Sequence, residues 1–281
     1  MVSIRDLGFR YSGGENFALD GITLEINRGD FLGLIGPSGA GKSTLAFALC
    51  GIVPHRCRGD FYGSVTVGGL DTVTSSPEEI AHHVGCVFQD IEGQLLATVV
   101  EDEILFGLEN FGTPRGEIEE RMEYALDAAG ISGLRHRTIP SLSGGQKQKV
   151  AIASIIALRP DVIVLDEPTG ELDPRSSRRV FETLRELNER HGITVIVIEQ
   201  KIMILCEFAR RLAVMDGGRI AVEGPVRDVL SCGERLEEAG VNIPRVATLA
   251  RTLRERGHYD GPTPLNLAEA SAMVRESVRY A

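Results

Sequence analysis

Gly36-Pro-Ser-Gly-Ala-Gly-Lys-Ser43 fits the phosphate-loop pattern G-x-x-x-x-G-K-[ST] and decides how the rest of the chain is read. It follows the apolar run 31–35 and precedes residues 42–49, which read as a helix ending before Gly51. Strand, glycine loop and helix therefore stand in the order the pattern requires. Glycines at 36, 39 and 41 let successive N–H groups turn inward, making a concave nest for a polyphosphate. The helix that follows aims its positive end at the same place. Within that scheme Lys42 reaches the β- and γ-phosphates, and the Ser43 hydroxyl takes one position on Mg²⁺. The candidate nucleotide-binding set is Gly36, Pro37, Ser38, Gly39, Ala40, Gly41, Lys42, Ser43 and Thr44.

Composition agrees with a nucleotide enzyme without selecting one. The chain has 281 residues, 43% of them hydrophobic, enough for a large α/β core and one appended unit. With 30 basic against 40 acidic residues the net charge is -10, which disfavours nucleic acid as a partner. Apolar runs such as 162–165 and 195–198 fall far short of the roughly 20 residues of a membrane span. The first residues, Met-Val-Ser-Ile-Arg-Asp, place an acid where a signal peptide has its apolar core, so a cytoplasmic protein is expected. Cys50, Cys57, Cys86, Cys206 and Cys232 show no C-x-x-C and no paired spacing, and the expectation is reduced thiols, mostly buried.

Runs 31–35, 84–88, 162–165, 194–198 and 212–215 lack polar alternation, as strands covered on both faces do. Runs 2–9, 21–26 and 64–67 alternate, which predicts a smaller antiparallel sheet with one wet face. Residues 93–157 read as an inserted helical subdomain, with 117–129 amphipathic and 146–158 apolar nearly all round. After Gly224-Pro225 short Arg/Glu-rich helices follow. Val246, Leu249, Ala250 and Leu253 fall on one face, and Asn266 with Glu269 resembles a capping pair.

A second chemical element is Val162-Ile-Val-Leu-Asp166-Glu167, a buried strand ending in two adjacent carboxylates. Side chains alternate along a strand, so the two can do different work: Asp166 as a Mg²⁺ partner, Glu167 orienting or deprotonating the attacking water. Kinases, GTPases and helicases remain open at this point. The third element discriminates. Leu142-Ser143-Gly144-Gly145-Gln146 is a second N–H-rich turn at a helix start, and two anion sites too far apart for one nucleotide imply a dimer.

Taken together, residues 2–223 resemble the ATP-binding subunits of ABC transporters, whose signature is LSGGQ. The resemblance implies a RecA-like P-loop α/β core with a mainly parallel sheet. An N-terminal antiparallel β subdomain, the inserted α-helical subdomain and a C-terminal helical extension, residues 224–281, complete it. It also implies a head-to-tail dimer in which each ATP lies between the phosphate loop of one subunit and Ser143, Gly144, Gly145 and Gln146 of the other. Tyr11 is placed to stack on adenine. Gln89 matches the glutamine that senses Mg²⁺ and γ-phosphate and couples them to a membrane subunit; Asp173 matches the interface-crossing loop. Arg56, Arg58, His82 and His83 match no chemical role and are assigned to the surface.

Two positions depart from the family. Gln200 stands where a histidine usually contacts the γ-phosphate, and a neutral amide cannot become a cation. With Glu167 intact, a slowed site is expected, since one positioned donor is worth about 3 to 4 kcal/mol in the transition state. Glu171 adds charge to the interface loop where a small residue is common. Both favour pairing with a different ATPase subunit over self-pairing. The stretches Phe88-Gln-Asp-Ile-Glu-Gly-Gln94, Val100-Glu-Asp-Glu-Ile and Phe106-Gly-Leu-Glu-Asn110 are similar to the energy-coupling factor ATPases of vitamin and transition-metal importers. That similarity implies a transmembrane scaffold, a separate small substrate-capturing membrane protein and a peripheral position on the cytoplasmic membrane face. The alternatives are a soluble ABC protein without a membrane partner and a weakly hydrolysing regulatory subunit.

Overall fold

The structure, a computed structural model, describes residues 1–170 and 172–279. Glu171, one of the two departures, lies outside the described residues. Strands β1 (Val2–Tyr11), β2 (Leu19–Ile26), β4 (Gly59–Val67) and β5 (Leu70–Asp71) form an antiparallel sheet in the order β2-β1-β4-β5. Strands β3 (Phe31–Ile35), β6 (Val84–Val87), β7 (Val162–Asp166), β8 (Thr194–Ile198), β9 (Arg211–Asp216) and β10 (Arg219–Pro225) form the second sheet. Its order is β10-β9-β3-β8-β7-β6, parallel except for β10, which runs antiparallel to β9. Both sheets are the ones the alternation pattern separates.

The period of two places successive residues of the central strands in different cores. Phe31, Ile35, Ile163, Leu165, Val195 and Val197 face one cluster, while Leu32, Leu34, Val162, Val164, Ile196 and Ile198 face the other. The second cluster is shared with β1, β2, β4 and helix α1 (Lys42–Leu49), which lies between the two sheets and is followed by the short turn α2 (Ile52–His55). The first cluster is closed by helices. After the small α3 (Pro77–Ala81) and α4 (Ile91–Gln94) come α5 (Val100–Asn110), α6 (Arg115–Ala128) and α7 (Gly144–Ile156), then α8 (Pro174–His191) and α9 (Ile202–Phe208). Helix α7 buries Val150, Ala151, Ile152, Ala153 and Ile156, which is why its sequence is apolar on several sides.

Beyond β10 lie α10 (Val226–Ser231), α11 (Gly233–Glu238), α12 (Arg245–Glu255) and α13 (Leu267–Arg279). Val246 and Ala250 of α12 pack with Ala270 and Met273 of α13, and Leu253 joins them at the edge. Leu249, expected on the same face, is exposed. The Glu269 N–H donates to Asn266 Oδ1 (2.9 Å), and the Asn266 amide returns a bond to Glu269 Oε1 (3.2 Å), the reciprocal pair that stops a helix from fraying.

One expectation is corrected. Cys50, at the C-terminal end of α1, is joined to Cys86 of β6 by a disulfide, leaving thiols at Cys57, Cys206 and Cys232, of which Cys206 is buried. The pairing spans 36 residues because α1 ends over the sheet beside β6, a proximity that spacing along the chain does not encode.

Candidate nucleotide site

The phosphate loop joins the buried β3 to α1, with Gly36, Gly39 and Gly41 at φ values of 153°, 80° and 96°. A Cβ at Gly36 would stand 2.2 Å from the Met215 carbonyl oxygen, and one at Gly41 2.3 Å from that of Ala18, so the loop backbone is open to glycine alone at both points. Lys42, 6% exposed, donates from Nζ to the carbonyls of Gly36 (2.9 Å) and Pro37 (2.8 Å). Its ammonium is thus held inside the loop. Burial lowers its pKa, against the pull of Glu167 and Asp166.

Asp166 ends β7 with its carboxyl buried, and burial raises its pKa while a hydrogen bond from Ser43 opposes the rise. Glu167, the next residue, has left the strand: its φ is 50°, and its N–H donates to the Ile198 carbonyl (2.9 Å). A non-glycine residue in the left-handed region stores strain, and here it bends the chain out of β7 directly after Asp166. Gln89 follows β6 and is exposed. A cavity of about 580 Å³ has Ser43, Gln89, Asp166 and Glu167 on its wall, together with Phe88, Lys147, Gln148 and Gly144. These are residues from the ends of two strands, β6 and β7, and the starts of two helices, α1 and α7, and the volume suits a nucleotide.

Oxygen donors of this kind suit Mg²⁺, which is usually held by one or two carboxylates and by substrate phosphates. Among the described residues no group of three or more His, Cys, Asp or Glu side chains could hold a metal. Ser43 and Asp166 fit the role of protein ligands, with phosphate oxygens supplying the rest.

Ser143 and Gln146 form a capping box on α7: Gln146 N–H donates to Ser143 Oγ (3.4 Å) and Ser143 N–H to Gln146 Oε1 (2.9 Å). Gly144 and Gly145 face Leu172 and Ser176 of the same chain. A methyl at Gly144 would lie 3.3 Å from Leu172 Cδ2, and one at Gly145 3.2 Å from Ser176 Cβ. Asp173 caps α8, accepting from the N–H groups of Arg175 (2.9 Å) and Ser176 (3.1 Å), and the Ser176 hydroxyl and backbone bonds depress its pKa. The hydroxyls of Tyr11 and Thr44 share a hydrogen bond (3.1 Å) and Tyr11 lies edge-on to Phe9, so its ring borders the phosphate-loop helix. Arg56 and Arg58 are exposed, His82 packs edge-on to Phe111, and His83 pairs with Asp161 (2.8 Å).

Gln200, in the loop after β8, donates from Nε2 to Glu167 Oε1 at 2.6 Å. Its neighbours complete a set that sequence reasoning missed. Glu199 is 2% exposed and accepts from four donors: Thr169 N–H (3.1 Å) and Oγ1, Gln200 N–H (2.9 Å) and Lys201 N–H (3.0 Å). Lys201 Nζ donates to the carbonyls of Thr169 and Leu172. The available signal was an acid directly after the apolar run 194–198, where a buried carboxylate needs donors.

The family model for ABC transporters matches residues 19–170, from the start of β2 through the paired carboxylates. The chain belongs to the ABC transporter family. As an ABC ATPase it is 39% identical to an energy-coupling factor transporter ATP-binding protein, EcfA1 of Bacillus subtilis, over 92% of this chain and 90% of that one. Several other curated relatives are longer, and the chain spans 42–44% of their length. Among solved structures it is similar to cbiO1 of Clostridium perfringens, part of an ABC transporter complex, with TM-score 0.76, 31% identity, and coverage of 89% and 98% of the two chains. A dimer of the ATP-binding cassette MJ0796, in a post-hydrolysis state with ADP and Pi, matches with TM-score 0.69 and 27% identity over 81% of this chain and 99% of that one. The α/β cassette fold of this ABC ATPase is the one that its sequence implies. No helix among its described residues is long and apolar enough to cross a membrane.

Proposed function

We propose that this ABC ATPase is the motor subunit of an energy-coupling factor importer for a vitamin or transition-metal ion, seated on the cytoplasmic face of the membrane. The observation that carries the catalytic part is the convergence of Ser43, Gln89, Asp166 and Glu167 on one cavity beside Lys42. The likeness to EcfA1 supports the transport class.

Mg²⁺ bound at Ser43 and Asp166 would draw electron density from the β- and γ-phosphate oxygens. Lys42 exchanges its two carbonyl partners for phosphate oxygens, and the loop N–H groups take the rest of the charge. Glu167 accepts the proton of the water that attacks the γ-phosphorus, the bond to the bridging oxygen breaks, and ADP and phosphate result. Tyr11 stacks on the adenine. The partner is a second ABC ATPase subunit, head to tail, whose phosphate-loop nucleotide is closed over by Ser143, Gly144, Gly145 and Gln146. Asp173 stands in the crossing loop, and Gln89 passes the motion to a transmembrane scaffold. A separate small membrane protein captures the substrate.

Gln200 slows the chemistry at this chain's own site. Its amide lies on the carboxylate that must take the proton, an observation that also favours a weakly hydrolysing subunit paired with a more active one. The test is direct: Lys42→Ala should abolish ATP binding, whereas Glu167→Gln should bind ATP and lose turnover by about a hundredfold or more. Full turnover in Glu167→Gln, or membrane extracts in which no transmembrane protein accompanies the chain, would overturn this reading.

A further inference from the structure

Gln200 is fixed from both sides. On one side Glu199 gathers the N–H groups of Gln200 and Lys201 on one carboxylate oxygen and both donors of Thr169 on the other. A carboxylate 2% exposed and saturated by four donors ties residues 199–201 to Thr169. On the other side Lys201 Nζ reaches across to the carbonyls of Thr169 and Leu172 (3.0 Å to the latter) and to Ser177 Oγ (3.4 Å). Leu172 in turn abuts the signature turn so closely that a methyl at Gly144 would stand 3.3 Å from its Cδ2. A run of bonds therefore leads from Leu172, which lies beside Gly144, through Lys201 and its neighbour Gln200 to Glu167 Oε1, the last step being 2.6 Å.

We propose that Lys201 is a positioning residue that makes the Gln200–Glu167 contact depend on what the signature turn holds. A nucleotide of the partner subunit, closed over by Ser143–Gln146, then governs turnover at this chain's own phosphate loop. The proposal rests on the reading of Ser143–Gln146 as the partner's half-site. While Gln200 donates to Glu167, one lone pair of the carboxylate that must accept the water's proton is taken. A phosphate arriving at the turn presses on Leu172; Leu172 carries Lys201, whose ammonium has three acceptors on that segment; and Lys201 carries its neighbour Gln200. The amide leaves the carboxylate and is free to face the γ-phosphate. Two states with different contacts at Glu167, biased by a ligand elsewhere, are what coupling between sites requires.

The experiment measures ATP turnover of the complex in which the chain is purified, for the parent, Lys201→Met, Lys201→Arg, Gln200→Ala and the double variant Gln200→Ala/Lys201→Met. Lys201→Met should lower kcat about tenfold, a typical coupling factor, with KM for ATP within about twofold and an unchanged unfolding midpoint. Lys201→Arg, which keeps donors toward both carbonyls, should restore most of kcat. In the Gln200→Ala background, Lys201→Met should change kcat by less than about twofold, because the residue it acts through is gone. An unchanged kcat in Lys201→Met, losses that multiply in the double variant, or no rescue by arginine would each overturn the proposal. Should Lys201→Met fail to assemble, Lys201→Gln and Lys201→Arg carry the same comparison. A parent complex with no turnover sinks the ATPase reading and this inference together; an active parent with an unaffected Lys201→Met sinks the inference alone.

Discussion

At position 200 an amide lies on the carboxylate of Glu167, and in the proposed function its chemistry sets the rate expected of the site. A neutral donor 2.6 Å from Glu167 steadies the carboxylate but offers no developing charge to the γ-phosphate. Gln200→His should therefore raise turnover of the assembled complex, by up to about a hundredfold, with little change in ATP affinity; a flat response in a steady-state assay would show that another step limits the rate. Cys206 supplies a pH test. Burial pushes its thiol up to about 12, so the folded chain holds that proton where an unfolded one releases it near 8.5. Its stabilising effect is complete below the unfolded pKa and is lost as pH rises toward 12, by about 1.4 kcal/mol per unit at most. Chemical denaturation of the parent should show a steeper alkaline decline than Cys206→Ala. In the same protein at pH 8, iodoacetamide should label Cys57 and Cys232 and spare Cys206.

Among the elements, β6 and α7 meet at Gly85 with no room for a side chain. A Cβ at Gly85 would stand 1.9 Å from Ile155 Cγ2. Gly85→Ala should destabilise the fold by about 1–3 kcal/mol and shift the urea midpoint down without changing its slope. Elements of this kind were legible from sequence because each rests on a local signal: strands covered on both faces lack alternation, and α7 is apolar all round because it is packed all round. The phosphate loop, the two carboxylates and the signature were legible for the same reason, each being a contiguous motif. Glu199, Lys201 and the Cys50–Cys86 link were not, because their partners are brought from other elements by the tertiary fold. Leu249 shows the converse error: helical spacing gave its face, but α13 covers only part of α12 and leaves it exposed.

In the proposed head-to-tail dimer each chain supplies half of each of two nucleotide sites, so assembly of the whole molecule should follow the γ-phosphate. Glu167→Gln with ATP and Mg²⁺ should run in light scattering as a stable dimer or heterodimer, and ADP should leave the subunits apart. Dimers of equal stability in ADP and ATP would contradict closure by the γ-phosphate. The order β3-β8-β7 at the centre of the main sheet has a separate consequence. Lys42, Gln200 and the two carboxylates lie at or beyond the carboxyl ends of three adjacent strands, so a triphosphate spanning them adds a tie across all three to the backbone ladders and to the Gln200–Glu167 and Glu199–Thr169 bonds between β8 and β7. Bound nucleotide should slow amide hydrogen exchange along the carboxyl edge of β3, β8 and β7 well beyond the loops it touches, turning the catalytic edge of the sheet into its last region to open.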